Sequence, residues 1–411
     1  MENNNKNVNN QLNNVQNAPD FENKSAASEP QKVKLPPLSF SDLSQSDVLQ
    51  NAQPTADATP QPAVNTGSAN TTPPVSATAP VMYNQPYVNM GPTAEQIERN
   101  TLRRRANALG LGFCLTIAVS MLLFPIITLV LAIAGVNASG LISALDNPFY
   151  AMVYQIVFSM VAFVPTFIIA SKVARVKLNK IIPFGKAKKG TTLPFLLIGF
   201  GFLAVANVLA NIFSNILRVL GISDFNFEME TPTGVSGFII TVIAAAVVPA
   251  LVEEFAYRGV FIGLTKEYGE GFCIVASSLM FGLMHGNLEQ IPFAFIVGLV
   301  LGFVRIKSGS IIPAMLLHFI NNFVSVILST LLDGAPQLMV IFANVVYYAV
   351  AALCMVLGIL MLKGNSYELF KIEKSDSALT SSQKNSAFYA APLTIVAFVL
   401  TFLQIISSEL V

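Results

Sequence analysis

The chain has 411 residues, of which 53% are hydrophobic and only 11% charged, and its formal net charge is +1. Soluble domains carry roughly 25% charged residues, so this composition excludes an ordinary soluble protein and describes an integral membrane one. The near-neutral balance, without any basic tract, excludes a nucleic-acid partner. Cys114, Cys273 and Cys354 all fall in apolar stretches and read as buried small hydrophobes, not as a disulfide framework or a zinc set.

Residues 1–98 are rich in Asn, Gln, Pro, Ser and Thr and poor in large apolar side chains. Such a segment cannot bury enough surface to offset its ordering entropy, and it is predicted to be a disordered cytoplasmic tail. Its start lacks the basic-then-apolar pattern of a cleaved signal, so insertion is expected to depend on the first span. A helical lead-in over 93–105 brings Arg103, Arg104 and Arg105 to that span.

Apolar runs then follow at about 109–135, 149–171, 193–220, 236–264, 271–286, 291–304, 311–332, 338–362 and 388–408. Most reach the roughly 17 to 25 residues that a membrane helix needs. The fifth and sixth are short, as spans beside a re-entrant or water-filled site often are. Gly259/Gly263 and Gly298/Gly302 have the spacing that lets helices approach closely. The predicted fold class is an all-α integral membrane protein. About eight to nine transmembrane helices, in a membrane domain over 99–408, enclose a polar intramembrane chamber.

Basic loops tend to stay in the cytoplasm. The arginine triplet, the acid-free loop from Lys172 to Lys189, Arg305 with Lys307 after the sixth run, and Lys363 all mark the inner side. Asp146 and the loop from Ser223 to Pro232 mark the outer side, with Arg218 as the discordant charge. The tail is predicted inside and the C-terminus outside.

Against this apolar background stand the chain's two histidines, His285 and His318, with Glu253, Glu254, Arg258 and Asn322, all within 70 residues. Ionisable groups in membrane spans are expensive and usually functional. At about 1.5 Å of rise per residue, Glu253, His285 and His318 fall in the middle of the bilayer, where one shared chamber is the economical arrangement. Phe281/His285, His318/Asn322 and Glu254/Arg258 are i,i+4 pairs that share a helix face. Glu254 and Arg258 can neutralise each other. Glu253, rotated by about 100°, is the freer carboxylate. Pro249, one turn earlier, should bend its span and free a carbonyl near the site.

A carboxylate, two imidazoles and a carboxamide suit water-mediated amide hydrolysis. Glu253, aided by His285, would take a proton from water, and His318 with Asn322 would serve the oxyanion. No G-x-S-x-G elbow is present; Ser277 and Ser278, before His285, are the serine alternative. A divalent ion such as zinc, held by Glu253, His285 and His318, is a further alternative, although H-E-x-x-H is absent.

Glu253-Glu254-x-x-x-Arg258, Phe281-x-x-x-His285 and His318-x-x-x-Asn322, in that order on separate helices, resemble the three motifs of the CPBP family. This is the CAAX prenyl protease type II and bacteriocin-processing family, also called Abi. The resemblance covers about 190–335. It implies an intramembrane endopeptidase of a family named as metalloproteases, with Glu253 and His285 on water, His318 and Asn322 at the oxyanion, and Glu254 and Arg258 in support. It further implies a peptide or a lipidated membrane protein as substrate, in a bacterial cell membrane. The alternatives are a non-catalytic scaffold or bacteriocin-immunity protein, and a transporter.

Overall fold

The computed structural model describes residues 91–135, 145–222, 231–362 and 370–409, together with Gly140 and Ser143. The expected tail, up to residue 90, and the charges of 223–230 and Lys363 lie outside the described residues. No strand occurs among the described residues.

Helix α1, Ala94–Ile133, starts at a capping box in which the Thr93 hydroxyl accepts from Gln96 N and the Gln96 side chain accepts from Thr93 N. Its 40 residues span about 60 Å, twice the hydrocarbon thickness, so the charged first turns stand clear of the apolar layer. Helices α2 (Pro148–Val173), α3 (Thr192–Val219) and α4 (Gly234–Tyr268) follow. Then come α5 (Glu270–Leu283), α6 (Gln290–Ser308), α7 (Ile312–Leu332), α8 (Gln337–Met361), α9 (Ser381–Tyr389) and α10 (Pro392–Glu409). Seven of these are long and apolar enough to cross a membrane, or eight if α9 and α10 form one span. The chain is thus an all-helical integral membrane protein, and α5, with 14 residues, is the short element anticipated for the fifth run.

The sequence departs from this outcome at four places. The ninth run is broken, with α9 and α10 meeting at 67°, because Pro392 has no N–H to continue the ladder and disfavours helical backbone at Ala391. The sixth run extends to Ser308, so Arg305 and Lys307 are buried residues of the helix's last turn and not of the loop after it. Arg305 donates to the carbonyls of Arg258 and Ile181, while Lys307 pairs with Glu270. These partners replace the water a loop would offer. The fifth helix ends at Leu283, which leaves His285 in the following turn, closed by His285 N to Gly282 O and by Gly286 at φ 66°. Span four carries wide π turns at Ile243–Val247 and Phe255–Phe261, on either side of the segment that holds Pro249, Glu253 and Glu254. Such insertions change which side chains face a site. Arg218, discordant in the charge pattern, is exposed in the last turn of α3, where the helix dipole favours a cation.

Helix α1 packs on α2, α9 and α10, whereas α3 packs on α6, α7 and α8. Helices α5 and α6 approach closely at Gly298, where an added Cβ would meet Ser278 Cα at 2.9 Å. Gly298→Ala should therefore lower stability by about 1 to 3 kcal/mol through overpacking, read as a drop in unfolding temperature in detergent. An unchanged transition would mean the pair can separate freely.

Candidate active site

The seven residues of Val248–Glu254 between the π turns present their two consecutive carboxylates to different surroundings. Glu254 is fully buried, and its Oε1 accepts from Arg258 Nη1 at 2.8 Å and from His318 Nδ1 at 2.9 Å. Arg258, also fully buried, donates onward to Gly298 O at 3.2 Å and lies over the Phe281 ring, 4.4 Å from its centroid. The i,i+4 ion pair read from the sequence is present and gains His318 as a third member. A buried pair costs desolvation unless its remaining sites are hydrogen-bonded; the carbonyl, the imidazole and the aromatic face offset part of that cost here, while Glu254 Oε2 and Arg258 Nε have no hydrogen-bond partner among the described residues.

Glu253 points elsewhere. Its side chain is 18% exposed, its Oε2 lies 3.9 Å from His318 Nε2, and no lysine or arginine pairs with it among the described residues. It lines two cavities, of about 540 Å3 and about 240 Å3. His285 lines both as well, and His318 and Asn322 line the larger.

The two imidazoles are held differently. His285 Nδ1 lies 3.0 Å from Phe281 O, a carbonyl at the end of α5 that the helix itself leaves unused. A carbonyl only accepts, so Nδ1 carries the proton and Nε2 is the nitrogen offered to the cavities. His318 Nδ1 donates to the Glu254 carboxylate by the same reasoning, leaving its Nε2 on the Glu253 side. Both rings stand edge-on to Phe281, at 5.2 and 6.1 Å between centroids. This phenyl group also carries Arg258, so it fixes three of the polar groups at once.

Asn322 Nδ2 donates to Ala245 O at 3.0 Å, and its Oδ1 accepts from Asn321 Nδ2 at 3.1 Å. Ala245 is four residues before Pro249, which has no N–H to give it. The carbonyl anticipated from that proline is thus taken up by the carboxamide. The other amide hydrogen of Asn322 has no protein acceptor among the described residues, and the side chain lines the larger cavity.

Ser277 and Ser278 are committed to the carbonyls of Tyr257 and Ile274 and line neither cavity, so the serine alternative has no geometry behind it. Among the described residues no three His, Cys, Asp or Glu side chains converge as ligands of one ion. The donor set proposed for zinc, Glu253, His285 and His318, therefore does not fit a metal in this arrangement. Sequence reasoning missed Tyr257, Gln155 and Gln404, which also line the cavities. Tyr257 was within reach of it, standing four residues after Glu253; the glutamines, on distant helices, were not.

Residues 235–324 match the model of a known family, described as Type II CAAX prenyl endopeptidase Rce1-like. The match contains every motif residue named above and agrees with the CPBP resemblance. At family level it supports a CAAX-type intramembrane protease. No curated protein and no solved structure matches the chain.

Proposed function

We propose that the chain is an intramembrane endopeptidase that hydrolyses a peptide bond with water activated by Glu253. The observation that carries this reading is a carboxylate without a cationic partner, set beside two imidazoles whose Nδ1 atoms are already committed, around one cavity within membrane-spanning helices. Glu253 takes a proton from water as the oxygen attacks the peptide carbon, and His285 Nε2 orients that water. The carbonyl π pair moves to its oxygen, which the second N–H of Asn322 faces, while His318 Nε2, whose ring proton is committed to Glu254 on Nδ1, stays an acceptor on the Glu253 side. Collapse of the adduct breaks the C–N bond, and the proton held by Glu253 passes to the leaving amine, so all atoms are accounted for. Glu254 and Arg258 hold His318 in place.

The substrate class consistent with the family is a prenylated CAAX protein or another membrane-embedded peptide. The exposed, acid-free loop from Lys172 to Lys189 favours an orientation with that face and the N-terminal tail in the cytoplasm. The direct test compares membrane-associated peptides from cells carrying the intact chain with those from cells carrying Glu253→Ala. Processed termini should be present only with the intact chain. Identical peptide sets at equal expression would instead favour a scaffold.

A further inference from the structure

The smaller cavity is not required to explain where a peptide binds. It shares Gln155, Glu253, Phe281, His285 and Gln404 with the larger one. Its own side adds Thr116 and Ser120 from α1, Ser159 from α2, and Tyr257. A space of about 240 Å3 bounded by this many polar side chains is roomy and polar enough to retain water, which needs two to four polar partners.

Tyr257 is the second, independent observation. The residue is fully buried, and its hydroxyl has no hydrogen-bond partner in the protein. Its ring is locked by Phe163, Phe167 and Phe281, with centroid distances of 6.3, 5.6 and 5.1 Å. Phenylalanine would pack equally well there, without the cost of an unpaired buried hydroxyl. The oxygen therefore calls for a partner supplied from outside the protein, and Tyr257 lines the cavity that Glu253 also lines.

We infer that the 240 Å3 cavity is a water chamber serving Glu253, and that Tyr257 is a positioning residue for the attacking water. The inference rests on the hydrolytic reading above. A substrate filling the larger cavity expels solvent from it. The chamber on the other side of Glu253 keeps a supply. The Tyr257 hydroxyl donates to the oxygen of the water whose two hydrogens go to Glu253 and to His285 Nε2, and its own oxygen accepts from a further water of the chamber. The water oxygen is then aimed at the peptide carbon, with no atom or electron required beyond those of the hydrolysis itself. Most of the chamber's own wall comes from α1 and α2, and Gln404 from α10, all outside the segment that matches the family.

The test uses the full chain in proteoliposomes with a quenched fluorogenic prenylated CAAX peptide. Tyr257→Phe should lower kcat about tenfold, the worth of one hydrogen bond in the transition state, with KM changed less than about twofold and unfolding temperature unchanged or raised. Ser159→Leu, which fills the chamber from the α2 side, should lower kcat in the same way. Parent-like kcat in both variants, or a loss confined to KM, overturns the chamber. Glu253→Gln, measured alongside, separates the two ideas. If Glu253→Gln is inactive while both chamber variants match the parent, only the chamber fails; if Glu253→Gln cleaves like the parent, the hydrolytic reading fails with it.

Discussion

Glu253→Gln is expected to reduce cleavage by about a hundredfold to ten-thousandfold, the usual contribution of a general base, equivalent to about 3 to 5 kcal/mol of barrier. The substitution keeps shape and volume and removes only the capacity to take a proton. Glu253 makes no close ion pair and faces the two cavities, so its loss should leave the fold intact. The adjacent Glu254→Gln makes the opposite trade. It weakens a fully buried contact with Arg258 and His318, so its main effect should be on unfolding temperature, with activity falling because His318 loses its orientation. Measuring both rates and both thermal transitions places the two neighbours on different axes. Equal stability losses for both variants, or a Glu253→Gln chain that cleaves normally, would refute the assignment of roles.

That contrast between neighbours was legible in the sequence, because consecutive helix residues differ by about 100° and only one of the two carboxylates stands four residues before Arg258. The membrane character and helix positions were legible for a similar reason: hydropathy acts over whole segments. The cross-helix partners were not. Local spacing coupled His318 to Asn322, yet the structure ties His318 to Glu254, 64 residues away, and Asn322 to the carbonyl of Ala245, 77 residues away. Nor did the pattern foresee the π turns, which depend on a shift of backbone hydrogen-bond register rather than on a residue type. Arg305 and Lys307 were misread as loop charges because hydropathy counts their cost in hydrocarbon and does not see the carbonyls and carboxylate that offset it.

The second large effect concerns Arg258. Arg258→Met should lower stability by about 3 to 5 kcal/mol, the range found when one member of a buried ion pair is removed and the other is left uncompensated. Both Arg258 and Glu254 are fully buried, and Glu254 Oε2 already lacks a partner, so no solvent stands ready to take over. The guanidinium also covers the Phe281 face and bonds Gly298 O, so its loss loosens α4, α5 and α6 together. The double variant Glu254→Gln/Arg258→Met removes both charges and should be more stable than Arg258→Met alone, since an orphaned carboxylate is worse than a neutral amide in the same place. Unfolding temperatures of the parent, the two single variants and the double variant close this cycle. Additive losses would mean that the pair is not coupled and that the carboxylate of Glu254 is held by His318 alone.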